Sequence, residues 1–211
     1  RQYFEKGNRG SEGVLDTGGY WNTSCVADFF PRWRWYKEFG GGILADWGAH
    51  MFDIVQWALD MDNSGPVKLV PPREPNAVRG LQMTYKNGVE VVHEDFYRGF
   101  GVRFIGSKGT LDVSREYLDS NIKGLVKKSL KNSDTRVYFS DDHLKDWITS
   151  IKNNSLPICD VEIGHRSASV CQLGNIAYEL RETLNWDPVK EEFIDNSRAN
   201  FLKTKFYRKP Y

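Results

Sequence analysis

The chain has 211 residues, 40% of them hydrophobic and 14% aromatic, with 29 basic and 28 acidic side chains for a net charge of +1. That apolar content suffices for one large or two small domains with a buried core and excludes a disordered chain. The near-zero charge gives no general affinity for nucleic acid or an anionic membrane, and no apolar run approaches the roughly 20 residues that span a bilayer.

Residues 1–31 are rich in Gly, Asn, Ser and aromatics and predict an N-terminal arm or interdomain segment that lays its rings on a partner surface. The chain opens at Arg1 rather than Met, so a preceding segment is expected. Residues 32–39 alternate large rings with charge, as Arg-Trp-Arg-Trp-Tyr-Lys-Glu-Phe, and run into Gly40-Gly41-Gly42. At such glycines backbone can approach a ligand or another chain closely. A helix is predicted over 43–60, with Ile43, Leu44, Trp47, Met51, Ile54, Val55 and Ala58 as its apolar stripe. Asn63-Ser64-Gly65-Pro66 ends it. Along this helix Asp46, His50, Asp53 and Trp57 recur at spacings of four, three and four, which puts all four side chains on one face.

Strands follow. Residues 67–70 form a short one, stopped by Pro71-Pro72. Residues 78–85 and 89–96 flank Lys86-Asn87-Gly88, a strong hairpin signal. Residues 101–105 and 110–114 make a second hairpin across Gly106-Ser107-Lys108-Gly109, and 135–139 are another strand. The lysine-rich stretch from Lys123 to Lys131 reads as a solvated connection. Ser140 or Asp141 is placed to cap a helix running to about Asn153, and Asp160 to cap a longer one through Ile163, Ala168, Val170, Leu173, Ile176 and Leu180. From Asn185 onward the chain reads as an end wrapped over a surface. The order is arm, helix, antiparallel strands, then helices. It predicts an α+β fold, an open and mainly antiparallel sheet with helices on one face.

Cys25, Cys159 and Cys171 are scattered, with no C-x-x-C pair. They read as reduced thiols filling small core positions, not as zinc ligands. Reduced thiols lean toward a cytoplasmic setting, although an export signal upstream would alter that. No glycine fingerprint follows a strand and opens a helix, so this stretch by itself offers no recognisable dinucleotide site. No Walker A, G-x-S-x-G or H-E-x-x-H sequence occurs either.

The run from Gly40 to Trp57, Gly-Gly-Gly-Ile-Leu-Ala-Asp-Trp-Gly-Ala-His-Met-Phe-Asp-Ile-Val-Gln-Trp, resembles the helix-opening motif of the glucose–fructose oxidoreductase / inositol dehydrogenase (Gfo/Idh/MocA) family. Two further stretches resemble it in the same order. They are Gly101-Val-Arg-Phe-Ile-Gly-Ser-Lys-Gly-Thr-Leu-Asp-Val and Asp160-Val-Glu-Ile-Gly-His-Arg-Ser-Ala-Ser-Val-Cys-Gln-Leu-Gly-Asn-Ile-Ala. The resemblance covers roughly residues 32–211 and implies the C-terminal substrate and oligomerisation domain of a two-domain enzyme, similar in fold to the C-terminal domain of dihydrodipicolinate reductase. NAD or NADP would be bound mainly by an N-terminal Rossmann domain, which this sequence lacks, as it lacks the family's lysine-bearing Glu-Lys-Pro motif. The piece alone is therefore expected to be inactive.

The resemblance implies a small-molecule sugar or polyol as substrate and a homo-oligomer built through the open sheet face, with neither nucleic acid nor membrane as partner. By the Asp-x-x-x-His match it makes His50 the acid/base and Asp46 its partner or a substrate ligand. Imidazole suits that work because its ordinary pKa of about 6.5 lets it take and return a proton near neutrality. Asp46 could instead complement the helix dipole. Trp33, Arg34, Trp35, Tyr36, Asp53 and Arg166 are candidate substrate contacts, although packing accounts equally well for the rings and a structural role equally well for Asp53. Gly40, Gly41 and Gly42 are candidate cofactor contacts. No metal is expected, since Asp46, His50 and Asp53 share one helix without a second element. His93 and His143 are expected at the surface or in a strand. Two other readings keep to the same residues: an NAD-dependent glycosidase of the same superfamily, and a non-catalytic dimerisation or carbohydrate-binding module.

Overall fold

The computed structural model describes residues 40–95, 98–129, 131 and 139–204. They divide into two compact units, with cuts between Phe100 and Gly101 and between His165 and Arg166. The first unit begins with α1 (Gly42–Ala45), α2 (Trp47–Leu59), β1 (Pro66–Val70), β2 (Leu81–Tyr85) and β3 (Glu90–His93). The second contains β4 (Val102–Gly106), β5 (Gly109–Val113), β6 (Leu118–Ser120), a 3-10 turn at Leu125–Lys127 and α3 (His143–Asn153). Most of α4 (Val161–Leu180), with β7 (Leu184–Asp187), β8 (Glu192–Phe193) and α5 (Ser197–Leu202), belongs to the first.

The first unit is built on a five-stranded sheet in the order β3-β2-β1-β7-β8, every pair antiparallel. Strand alternation sorts its faces. Leu81, Met83 and Tyr85 of β2, Leu69 of β1, and Leu184 and Trp186 of β7 are buried. They join Leu44, Phe52, Val170, Leu173 and Ala177 from the helices in one core, so the helices cover that face. Each large side chain taken wholly out of water there stabilises the fold by roughly 1.5–3 kcal/mol. The opposite face is open: Lys68, Gln82, Glu90, Val92 and Asn185 are exposed, and the register aligns Lys68 with Thr84 and Asn185, and Gln82 with Val92.

Three expectations need correction in this unit. The predicted helix over 43–60 is two helices, because Asp46 departs from helical geometry at φ −86°, ψ −87°. The strands predicted over 78–85 and 89–96 are shorter, since Gly80 at φ 95° turns the chain just before Leu81. Most consequentially, the described residues after 184, up to 204, are no surface wrap. β7 pairs with β1 and carries β8 on its other side. Asp187 starts the turn between them by accepting from the Val189 and Lys190 amides at 2.9 and 3.1 Å, which holds its carboxyl below the usual range.

In the second unit the predicted hairpin forms, with Val102 opposite Val113 and Gly106 opposite Gly109. Arg103 grips the facing Asp112 through two 2.8 Å bonds. The N-cap of α3 is Asp142 rather than Ser140 or Asp141; it accepts from Leu144 and Lys145 at 3.0 Å each, and those amides lower its pKa. This helix turns polar groups inward. Asp146 and Ser150 are buried, while Leu144, Trp147, Ile148 and Ile151 are exposed. The buried Asp146 carboxylate accepts from the Ile158 amide at 2.9 Å. Asp160 caps α4 as its position predicts, accepting from Glu162 and Ile163. Residues 123–129 are solvent-exposed, as a solvated connection requires. The predicted strand over 135–139 lies, but for Phe139, outside the described residues. Of the thiols, Cys171 is a core residue and Cys159 is exposed, since it sits in the loop ahead of α4 and not in a helix; Cys25 lies outside the described residues. Among the described residues no helix is long and apolar enough to cross a membrane.

The contact between α1 and α4 is tight enough to test. A Cβ at Gly174 would sit 3.0 Å from Leu44 Cδ2 and 3.2 Å from Leu81 Cδ2. Gly174→Ala is expected to destabilise the fold by about 1–3 kcal/mol through overpacking, a fall of several degrees in Tm read by thermal denaturation. An unchanged or raised Tm would show that the helix has room to shift.

Candidate functional site

Asp46 and His50 flank the start of α2. Gly42, at φ 65°, bends the chain into α1, and the Asp46 amide closes that short helix by donating to the Gly42 carbonyl at 3.0 Å. Asp46 then occupies the N-cap position of α2, yet its side chain makes no capping bond to the α2 backbone. It is half-buried, and His50, one turn on, is exposed. Rings brace the imidazole. Trp47 meets His50 edge-on at 5.6 Å between centroids and stacks flat on Phe100 at 4.5 Å and 4°. An accessible imidazole with a carboxylate in the preceding turn can exchange a proton with a bound hydroxyl while its ring stays braced.

The other candidates fare differently. Asp53 shares the α2 face of His50, but its Oδ1 accepts from Ser167 of α4 at 2.7 Å. Trp57 is also exposed on α2. Arg166 is committed to the β7–β8 turn, where Nη1 donates to the Pro188 carbonyl at 2.8 Å and to Glu191 Oε1 at 3.1 Å. That anchors β8 and gives the guanidinium a structural task. The glycines also answer to packing. Gly41 and Gly42 are buried; the Gly41 carbonyl accepts from Asn175 Nδ2 at 2.9 Å; and a Cβ on Gly41 would lie 2.3 Å from Ala45 Cβ. At Gly41 the close approach is thus made by helix α4 of the same chain. Trp33, Arg34, Trp35 and Tyr36 lie outside the described residues. Among the described residues no group of three or more His, Cys, Asp and Glu side chains is placed to hold a metal ion.

With that arrangement in place, comparison with known proteins is informative. The model of the Gfo/Idh/MocA oxidoreductase family's C-terminal alpha/beta domain matches residues 21–211. The chain belongs to this family. No curated protein matches it significantly. Its α+β architecture, antiparallel sheets with helices on one face of the larger one, is the fold of that C-terminal oxidoreductase domain.

Sequence reading missed one polar network in this Gfo/Idh/MocA domain. Tyr178 of α4 reaches the β2–β3 edge, where its hydroxyl accepts from the Leu81 amide at 3.1 Å. The same hydroxyl hydrogen-bonds with His93 Nδ1 at 2.9 Å. Phe52 packs beside the imidazole. Burial pushes His93 down to about 3, helped by the Arg79 guanidinium and opposed by Asp95. Nearby in the core, Tyr85 donates to Gln56 Oε1 at 2.8 Å, and burial raises its phenol pKa. Cys171 is likewise pushed up to about 12 by burial, which makes it a core residue and not a nucleophile.

The neutral His93 has a consequence for stability. An unfolded histidine takes up its proton at about pH 6.5, whereas the folded ring does so only at about 3. Between those values the unfolded state binds more protons, so stability falls as pH drops through the window. His93→Asn keeps a hydrogen-bond partner for Tyr178 and removes the titration. Its urea midpoint is expected to fall less than the wild type's between about pH 7 and about pH 5; equal falls would mean that His93 titrates normally.

Proposed function

We propose that this chain is the substrate-side half of an NAD(P)-dependent oxidoreductase acting on a sugar or polyol hydroxyl, with His50 as its acid/base. The observation that carries the reading is the Asp46/His50 pair at the α1–α2 joint: an exposed imidazole, braced by Trp47, with a carboxylate in the preceding turn that does not cap the helix. His50 takes the hydroxyl proton as the carbinol is oxidised and returns it in the reverse direction. Asp46 orients the ring or holds a neighbouring hydroxyl of the substrate. A nicotinamide dinucleotide, when bound, would supply the hydride acceptor. Asp53 contributes by supporting α2. The open face of the five-stranded sheet, with Lys68, Gln82, Thr84, Glu90 and Asn185 in register, is offered as the surface for a second copy.

The test uses the complete protein encoded by the gene, with NAD+ or NADP+ and a panel of aldoses and cyclic polyols. Reduced cofactor is expected to form, and His50→Ala is expected to lower turnover by roughly 10²–10⁴-fold with the fold retained by circular dichroism. Normal turnover in the variant would remove His50 from the chemistry. Release of sugar from aryl glycosides without net reduction of cofactor would replace the dehydrogenase with a glycosidase.

A further inference from the structure

We infer that Asn175 and Ser167 are positioning residues for the Asp46/His50 pair, so that α4 fixes the acid/base helix on both sides of His50. The inference rests on the acid/base reading of that pair. Asn175 is 2% exposed, and its Nδ2 donates to the Gly41 carbonyl at 2.9 Å. That carbonyl directly precedes Gly42, whose positive φ starts α1, and the Asp46 amide returns to the Gly42 carbonyl. One buried amide therefore fixes the turn from which Asp46 emerges. Ser167 lies a little over two turns earlier on α4. Its hydroxyl donates to Asp53 Oδ1 at 2.7 Å, and Asp53 sits on the His50 face one turn further along α2. His50 stands between these two tethered points, and neither tether is part of the acid/base pair.

Two details show that the contact is built for its hydrogen bond and does not merely fill space. A Cβ on Gly41 would crowd Ala45 Cβ first and would also lie 3.1 Å from Asn175 Nδ2 and Gln172 Nε2, so glycine here leaves the amide its place beside the turn. The Asn175 Oδ1 is buried with no hydrogen-bond partner. A buried acceptor left unpaired is unfavourable, and an apolar residue of similar size would avoid that cost. What the amide supplies in return is the donor to Gly41.

The experiment again uses the complete gene product, with NAD+ and the sugar or polyol panel. Ser167→Ala and Asn175→Ala are each expected to lower kcat by about ten-fold, because small misplacements of an acid/base cost rate. The KM for NAD+ stays within about two-fold, and the acid limb of the kcat–pH profile moves. Ser167→Thr, which keeps a hydroxyl for Asp53, restores kcat. Folded alanine variants with wild-type kcat and pH profile would overturn the inference, as would a loss that Ser167→Thr does not rescue. Should Asn175→Ala fail to fold, the Ser167 pair decides alone. Loss of turnover in His50→Ala with none in the α4 variants defeats only the positioning; an unimpaired His50→Ala defeats the acid/base reading beneath it.

Discussion

The approach of α4 to the glycine turn is the constraint on which the rest of the first unit depends. Two glycines make it possible from opposite sides. Gly41 leaves room for the Asn175 and Gln172 amides, and Gly174 leaves room for Leu44 and Leu81. With both Cβ atoms absent, α1 and α4 come close enough for a buried side-chain-to-backbone bond at 2.9 Å. The same approach places Leu44, Leu173 and Ala177 in one core with the sheet. Dense packing of this kind has few alternative arrangements, so the position of the turn, and of Asp46 after it, follows from where α4 lies on the sheet.

Much of the fold was legible because the relevant signals are local. Asn87-Gly88 between alternating runs gave the β2–β3 hairpin, Asp160 gave the start of α4, and the apolar stripe gave α2. The largest failure concerned pairing with partners distant in sequence. β7 is four residues long and ends at Asp187, just before Pro188, in a stretch that reads as a chain end. Its strand identity comes from pairing with β1, well over one hundred residues earlier. The cap of α3 was misplaced by one or two residues among Ser140, Asp141 and Asp142, since each carries a side chain able to cap, and only the backbone angle at 142 selects among them.

The candidate site shows the same division. His50 and Asp46 were visible as a spacing, and Asp53 as their neighbour on the helix. The break at Asp46 was not visible, because nothing in Leu-Ala-Asp-Trp marks a change of backbone direction. The glycines were noticed for close approach of backbone, and at Gly41 a helix of the same chain makes such an approach. Arg166 looked like a substrate fork but is spent on the Pro188 carbonyl and Glu191. The Tyr178–His93 bond left no trace in the sequence, since it joins the last turn of a long helix to the end of a short strand far away in the chain.

These placements separate rigidity from chemistry along a single helix. On the sheet-facing side of α2, Phe52, Val55 and Gln56 are buried, with Gln56 held by Tyr85 and by the carbonyls of Met61 and Ser64. That side cannot titrate or move without disturbing the core. The other side carries His50 and Trp57 to solvent, where a proton can be exchanged without opening the fold. The two histidines of the first unit are opposites in this respect. His93 is hydrogen-bonded to Tyr178 and held well below the ordinary imidazole pKa by burial, so it stays neutral until strongly acid conditions. His50 lies on top with its ring reachable. Proton transfer, as proposed for His50, needs an imidazole that is accessible and yet fixed in direction, and α2 is fastened at its lower face and its ends while its upper face is exposed.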